Sequence, residues 1–219
     1  VSKELPAPIS DEFRRVVPKG HVRLLGKLAE LSDAGIPLHF FAGNHDMWVR
    51  DYFQQELNMK VYMQPEEFIR NGKTFLVGHG DGLGPGDHGY KRLKKVFRNP
   101  VSKWLFGIFP PVMGMGLANY MSRRSRAQTG ATEETFLGEE KEWLIIYCKE
   151  MLKQKKADFF VFGHRHLPID YRLLSADGSL MARYINLGDW IRYFTYAVFD
   201  GEKLELKSYK GFDNKIIRN

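Results

Sequence analysis

Three short stretches carry side chains suited to holding a metal ion. They are Gly43-Asn44-His45-Asp46, Gly78-His79-Gly80-Asp81 and Gly163-His164-Arg165-His166. In each, an apolar run ends at a glycine or close to one, and Asn, His or Asp follows. Imidazole nitrogen and amide oxygen suit Mn²⁺, Fe²⁺ or Zn²⁺ better than Ca²⁺. A single histidine after a strand is most often a hydrogen-bonded part of the structure. Three such loops in one chain point to a site, because clusters of ligand-type residues mark sites where lone residues do not. Asn44, His79, His164 and His166 are the candidate ligands.

The elements that must position these loops are strands. Pro37 to Ala42, Gly72 to Gly78 and Phe159 to Phe162 are short apolar runs read as strands leading into the three loops. Parallel strands of an α/β sheet gather ligands at their carboxyl ends, so the four candidate ligands are expected to converge at one sheet edge. Helices are predicted at His21–Ala34, Met47–Leu57 and Gly138–Lys156. In the last of these, Trp143, Leu144, Tyr147, Met151 and Leu152 should face inward. Lys60–Met63 reads as a short strand. The C-terminal part reads as β structure over Ile169–Leu174, Leu180–Asn186, Tyr193–Phe199 and Lys203–Tyr209. Asp177-Gly178 and Asp200-Gly201 are the turns between these runs. Val1 to Gly20, with Pro6, Pro8 and Pro18, reads as an irregular lead-in.

The stretch from Gly82 to Leu137 has a different character. Glycines 82, 84, 86 and 89 open it, and Lys91, Arg92, Lys94, Lys95 and Arg98 follow. An apolar run broken by glycine and proline, Trp104 to Leu117, precedes Arg123, Arg124 and Arg126. It is too long for an ordinary connection and reads as a helical cap over 82–137, inserted in a core of 1–81 and 138–219. A chain of 219 residues, 43% hydrophobic, has ample material for such a core. The net charge of +7 favours anionic partners without choosing among them. The single Cys148 excludes an internal disulfide framework and fits a reducing compartment. The first twenty residues lack the apolar segment of a secretory signal. No run reaches the roughly 20 apolar residues of a spanning helix, so any membrane contact is expected to be peripheral.

The motifs G-N-H-D, G-H and G-H-x-H, in this order and each after a strand, resemble those of the calcineurin-like metallophosphoesterases. The resemblance runs from about Val16 to Tyr209. It implies an α/β (α+β) fold of two packed mixed sheets flanked by helices, with two divalent ions, Mn²⁺ by expectation, bridged by an aspartate. It further implies that Asn44, His79 and His164 bind one ion and His166 the other. His45, held by Asp46, would then meet the phosphoryl group. His79-Gly80-Asp81-Gly82-Leu83, the basic and apolar insertion, and Leu187-Gly188-Asp189-Trp190 look like the branch that cleaves UDP-2,3-diacylglucosamine in lipid A synthesis. By that likeness the partners are a UDP-linked diacyl sugar and the inner-membrane surface, not nucleic acid, and the place is the cytoplasm. Asp87, Arg123, Arg124 and Arg126 would contact the substrate. The family's opening D-x-H and G-D-x-x-D motifs do not occur in the chain. The expectation is therefore a truncated start, with the first strand and part of the two-metal site not encoded here. Two other readings stay open: a phosphoesterase acting on a soluble nucleotide, and a non-catalytic binding homologue.

Overall fold

A computed structural model describes residues 20–44, 46, 51–85, 91–92, 94–96, 99, 101–102, 135–211 and 213–219. Residues 1–19, His45, Asp87, the three arginines of 123–126 and most of the expected cap lie outside these. The chain divides into two compact units. One comprises Val1–Met63 with Asp87–Gln128, the other Gln64–Gly86 with Thr129–Asn219.

In the first unit, helix α1 (Val22–Asp33) precedes strand β1 (His39–Phe41), helix α2 (Tyr52–Leu57) and strand β2 (Lys60–Tyr62). Strands β1 and β2 pair in parallel as a two-stranded sheet. The core is Leu25, Ala42, Phe53, Leu57 and Met59, with Leu28, Leu38 and Val61 packed on it. The apolar stripe of α1 is narrower than its sequence implies, since Val22 and Leu24 are exposed. Helix α2 ends where Asn58 turns left-handed, at a φ of 48°.

The second unit is built on a six-stranded mixed sheet. Its strands are β3 (Glu66–Arg70), β4 (Lys73–Val77), β5 (Phe159–Phe162), β6 (Pro168–Leu174), β7 (Leu180–Leu187) and β10 (Ile217–Arg218). Across the sheet the order is β10-β6-β7-β5-β4-β3. Strands β4, β5 and β7 run parallel, so their carboxyl ends share one edge. Helix α3 (Trp143–Leu152) packs on one face, and the antiparallel pair β8 (Thr195–Phe199) and β9 (Leu204–Ser208) on the other. This is the expected α/β class, a mixed sheet with a helix on one side and a smaller sheet on the other.

Alternation along the strands decides which residues meet which layer. Leu76, Phe160, Phe162, Ala182 and Tyr184 face α3, whereas Phe75, Phe159, Val161 and Ile185 face the β8–β9 pair. Helix α3 is shorter than the sequence reading, and the five residues expected to face inward all meet the core, to different depths. Leu144, Ile145 and Cys148 are its buried residues, while Trp143, Tyr147, Met151 and Leu152 are only partly covered. Among the described residues no helix is long and apolar enough to cross a membrane.

Candidate metal centre

Strands β4, β5 and β7 each end in a glycine-led loop at the shared edge: Gly78-His79, Gly163-His164 and Gly188-Asp189. The first two were expected to lie together, and they do. The His79 and His164 rings stand 5.3 Å apart, centroid to centroid. Two close backbone approaches bring them there. Gly163 N–H donates to the His79 carbonyl at 2.9 Å, and Gly78 N–H to the Val161 carbonyl at 3.1 Å. Gly80 is required between them. It has a φ of 109°, and a Cβ there would lie 3.3 Å from both the Gly163 oxygen and the His164 Cβ.

Each of two histidines has a carboxylate at Nδ1. The His79 Nδ1 is 3.0 Å from the Asp81 carboxylate, which is buried. The His166 Nδ1 is 3.6 Å from Asp189 Oδ2, an ion-pair separation longer than a hydrogen bond. Oδ1 of Asp189 is fixed by the N–H groups of Ile191, Arg192 and Tyr193, at 3.0, 2.7 and 3.2 Å. Burial opposes ionisation of Asp189, but His166 and these N–H groups outweigh it and hold the carboxyl below its usual range. A carboxylate on Nδ1 fixes the imidazole tautomer and leaves Nε2 with the lone pair a metal requires.

The loop after β5 is strained. His164 has a φ of 68°, uncommon for a residue with a side chain. The Arg165 N–H folds back to the Gly163 carbonyl at 2.8 Å, closing a γ-turn around His164. Such backbone costs about 1–3 kcal/mol and persists only where its surroundings hold it, commonly at functional sites. Asn186 supplies part of the hold, since its Nδ2 donates to the carbonyls of Arg165 at 2.5 Å and Leu167 at 2.7 Å.

The other expected residues fare unevenly. Asn44 follows β1 in the first unit, in a turn where Asp46 N–H donates to the Gly43 carbonyl and Asp46 Oδ2 accepts from Gly43 N–H at 3.3 Å. His45 and the expected substrate contacts Asp87, Arg123, Arg124 and Arg126 are outside the described residues. Asp81 and Asp189 stand within the sequence motifs, and only the fold shows that they face His79 and His166. Their signal is an acid two residues beyond His79 and one directly after the glycine that follows β7.

The donors fit a divalent ion in chemistry, with His79 and His164 ring to ring and carboxylates behind His79 and His166. Among the described residues, no three His, Cys, Asp or Glu side chains stand together as a finished ligand group. The fit is that of oriented donors, with His79, His164 and His166 the residues in the second unit that would hold an ion.

No family model matches the chain. It is 40% identical to the UDP-2,3-diacylglucosamine hydrolase of Porphyromonas gingivalis, across 92% of this chain and 80% of that protein. It is 30% identical to the hydrolase of the same name from Ectopseudomonas mendocina, across 82% of this chain and 72% of that one. The Edwardsiella ictaluri protein of that name is 25% identical over 85% of this chain and 70% of its own length. A solution NMR structure of a Thermotoga maritima protein overlaps 84% of this chain and 73% of its own, with a TM-score of 0.34 and 18% identity. Identity of 40% across 92% of the chain and 80% of the relative assigns the family: the chain belongs to the UDP-2,3-diacylglucosamine hydrolases.

Proposed function

We infer that this hydrolase cleaves the diphosphate of UDP-2,3-diacylglucosamine, releasing UMP and the diacylglucosamine 1-phosphate known as lipid X, with divalent metal in its site. Family membership at 40% identity is the observation that carries the reading. The site geometry supports it, because two carboxylate-backed histidines are what a metal-dependent phosphoester hydrolase needs at a strand edge. A bound ion supplies an activated water and neutralises charge on the phosphoryl oxygens. The chain's own residues would do the rest. His79 and His164 present ring nitrogens, Asp81 holds the proton on Nδ1 of His79, and Asp189 orients His166. Asn44 is the proposed amide ligand. His45, held by Asp46, would stabilise charge on the phosphoryl group. Asp87, Arg123, Arg124 and Arg126 would contact the sugar and phosphates. The apolar run from Trp104 to Leu117 would receive the acyl chains at a membrane surface, with the enzyme peripheral on its cytoplasmic side.

The test is an assay of the protein expressed from its native reading frame. With Mn²⁺ it should convert UDP-2,3-diacylglucosamine to UMP and lipid X, and a chelator should stop the reaction. Hydrolysis in ¹⁸O water, read by mass spectrometry, identifies the phosphorus attacked. His79→Ala should lower kcat at least about 100-fold, more than loss of an orienting partner alone. Unchanged turnover in chelator, or a fully active His79→Ala enzyme, would overturn the reading.

A further inference from the structure

Arg165 lies between two histidines yet turns the other way. It is 1% exposed, while the His166 side chain is 44% exposed. Its guanidinium meets three groups. Nη2 donates to the Thr135 carbonyl at 2.7 Å. Nε lies 2.9 Å from Glu142 Oε1, off the line of its N–H, so that contact is an ion pair, and Nη2 makes a longer 3.4 Å bond to Oε2. The Trp143 ring lies 5.0 Å from the guanidinium carbon.

These contacts tie the histidine loop to the returning end of the inserted segment and to the start of α3. Thr135 is where the chain returns from 82–137. Near its start, a Cβ on Gly84 would fall 2.6 Å from the Trp143 carbonyl oxygen, so the outgoing chain passes directly against the first residue of α3. Glu142, at the start of α3, spends its carboxylate on Arg165 and on Leu137 N–H, at 3.5 Å, and makes no side-chain cap bond. The γ-turn at His164 lies between this anchor and the Asn186 amide. A residue with φ near 68° does not hold itself there, so something must hold it.

We propose that Arg165 is a positioning residue: its buried guanidinium, paired with Glu142 and bonded to Thr135, holds the His164 turn and sets the directions of His164 and His166. Through Thr135 it couples both imidazoles to the exit of the inserted segment. The metal arm of the test rests on the reading that these histidines hold a divalent ion, and the second arm does not.

The experiment compares the whole protein with two variants, Arg165→Lys and the pair Arg165→Met with Glu142→Leu. An apolar pair can replace a buried ion pair without loss of fold. The double variant should therefore melt near the wild type in the absence of metal, which a purely structural role would also allow. The positioning role adds two results. Calorimetry with Co²⁺ should show Kd weakened about 10- to 100-fold, with a changed visible spectrum. The metal-free imidazole ¹⁵N resonances of His164 and His166 should also move. A folded double variant with wild-type Co²⁺ affinity and unmoved imidazole signals overturns the proposal. Should the double variant fail to fold, Arg165→Lys decides. Lysine keeps a charge beside Glu142 but lacks the fork that reaches Thr135 and Glu142 together. Unmoved imidazole signals in that variant sink the idea. If the wild type binds no Co²⁺, the metal reading fails, while the imidazole signals still decide the role of Arg165.

Discussion

The α3 face of the six-stranded sheet packs Phe160, Phe162, Ile169 and Leu173 at 1% exposure or less. On that side Arg165, Glu142 and Asn186 are buried just as completely. The opposite face packs Phe75, Phe159, Val161 and Ile185 under Leu204 and Leu206. Its principal charged pair, Asp170 with Arg183, stays at the margin, at 12% and 25% exposure. There the guanidinium meets Asp170 at 2.8 Å and donates to the Leu204 carbonyl at 2.7 Å, so it staples the β8–β9 pair to the sheet. Burying an ion pair completely is seldom the cheapest way to build a core, and an apolar substitute is often as stable. The face nearest the histidine loops carries that cost and the other does not. The difference marks the α3 face as shaped by the site and the hairpin face as shaped by packing.

The sharpest way to break this comparison is Arg165→Met. It removes the ion pair, the Thr135 bond and the Trp143 contact, and it leaves Glu142 buried alone. A loss of about 3–5 kcal/mol at neutral pH is expected in urea unfolding. The loss should depend on pH. Burial already pushes the Glu142 carboxyl up, against the pull of Arg165 and of the Leu137 N–H. The folded protein thus binds more protons than the unfolded chain above the ordinary value of 4.5, and stability falls as pH rises through that window. Without Arg165 the window widens upward, so the variant should recover part of its stability at pH 5. A cost below about 1 kcal/mol would mean that the two faces do not differ as described.

The corresponding change on the hairpin face is Asp170→Asn. Solvent screens this pair, so about 1–2 kcal/mol should be lost. A loss equal to that of Arg165→Met would remove the contrast. A gain should come from Tyr184→Phe on the α3 face. The Tyr184 hydroxyl is fully buried with no hydrogen-bond partner among the described residues. Removing it should stabilise the protein by about 1 kcal/mol and raise the Tm. Destabilisation would show that the hydroxyl is used.

The sequence made some of this legible and hid the rest for physical reasons. A glycine followed by His or Asn after an apolar run is a local signal, and it located the loops after β1, β4 and β5. The placement of β1 was not local: it pairs with β2 in its own sheet, whereas β4 and β5 lie side by side. Strand β3 went unread although Asn71-Gly72 stands at its turn, with φ of 48° and 72°. Such a pair is a strong hairpin signal. The strand itself, Glu66-Glu67-Phe68-Ile69-Arg70, does not alternate cleanly, and Ile69 is exposed. Arg165 and Glu142 are far apart in sequence, and charged residues are normally read as surface. Nothing within a few residues of either announces a buried pair. Cys148 is buried, with its thiol pushed up by that burial. In α3 the apolar residues outnumber the fully buried positions, so periodicity alone did not single out Ile145 and Cys148 beside Leu144 as the most buried.

The smallest expected effect lies at the far end of the β6–β7 hairpin, where the same chemistry operates in water. The Asp177 carboxyl is held down, from 3.8 to about 2, first by the Ser175 hydroxyl and then by the N–H and hydroxyl of Ser179. The Ser179 N–H reaches Asp177 Oδ1 at 3.0 Å, and the two serine hydroxyls are 2.6 Å apart. A carboxyl lowered in the folded state contributes stability that is present above its unfolded value and lost as pH falls through its folded value. Here that window runs from 3.8 down to about 2. Ser175→Ala should move Asp177 back toward 3.8 in an NMR titration. It should leave neutral-pH unfolding almost unchanged, because water replaces the lost partner at an exposed turn. If Ser175→Ala destabilised the protein as much as Arg165→Met, burial would not be what separates the charged groups of this molecule. If Asp177 titrated near 3.8 in the wild type, the serines would not be holding it at all.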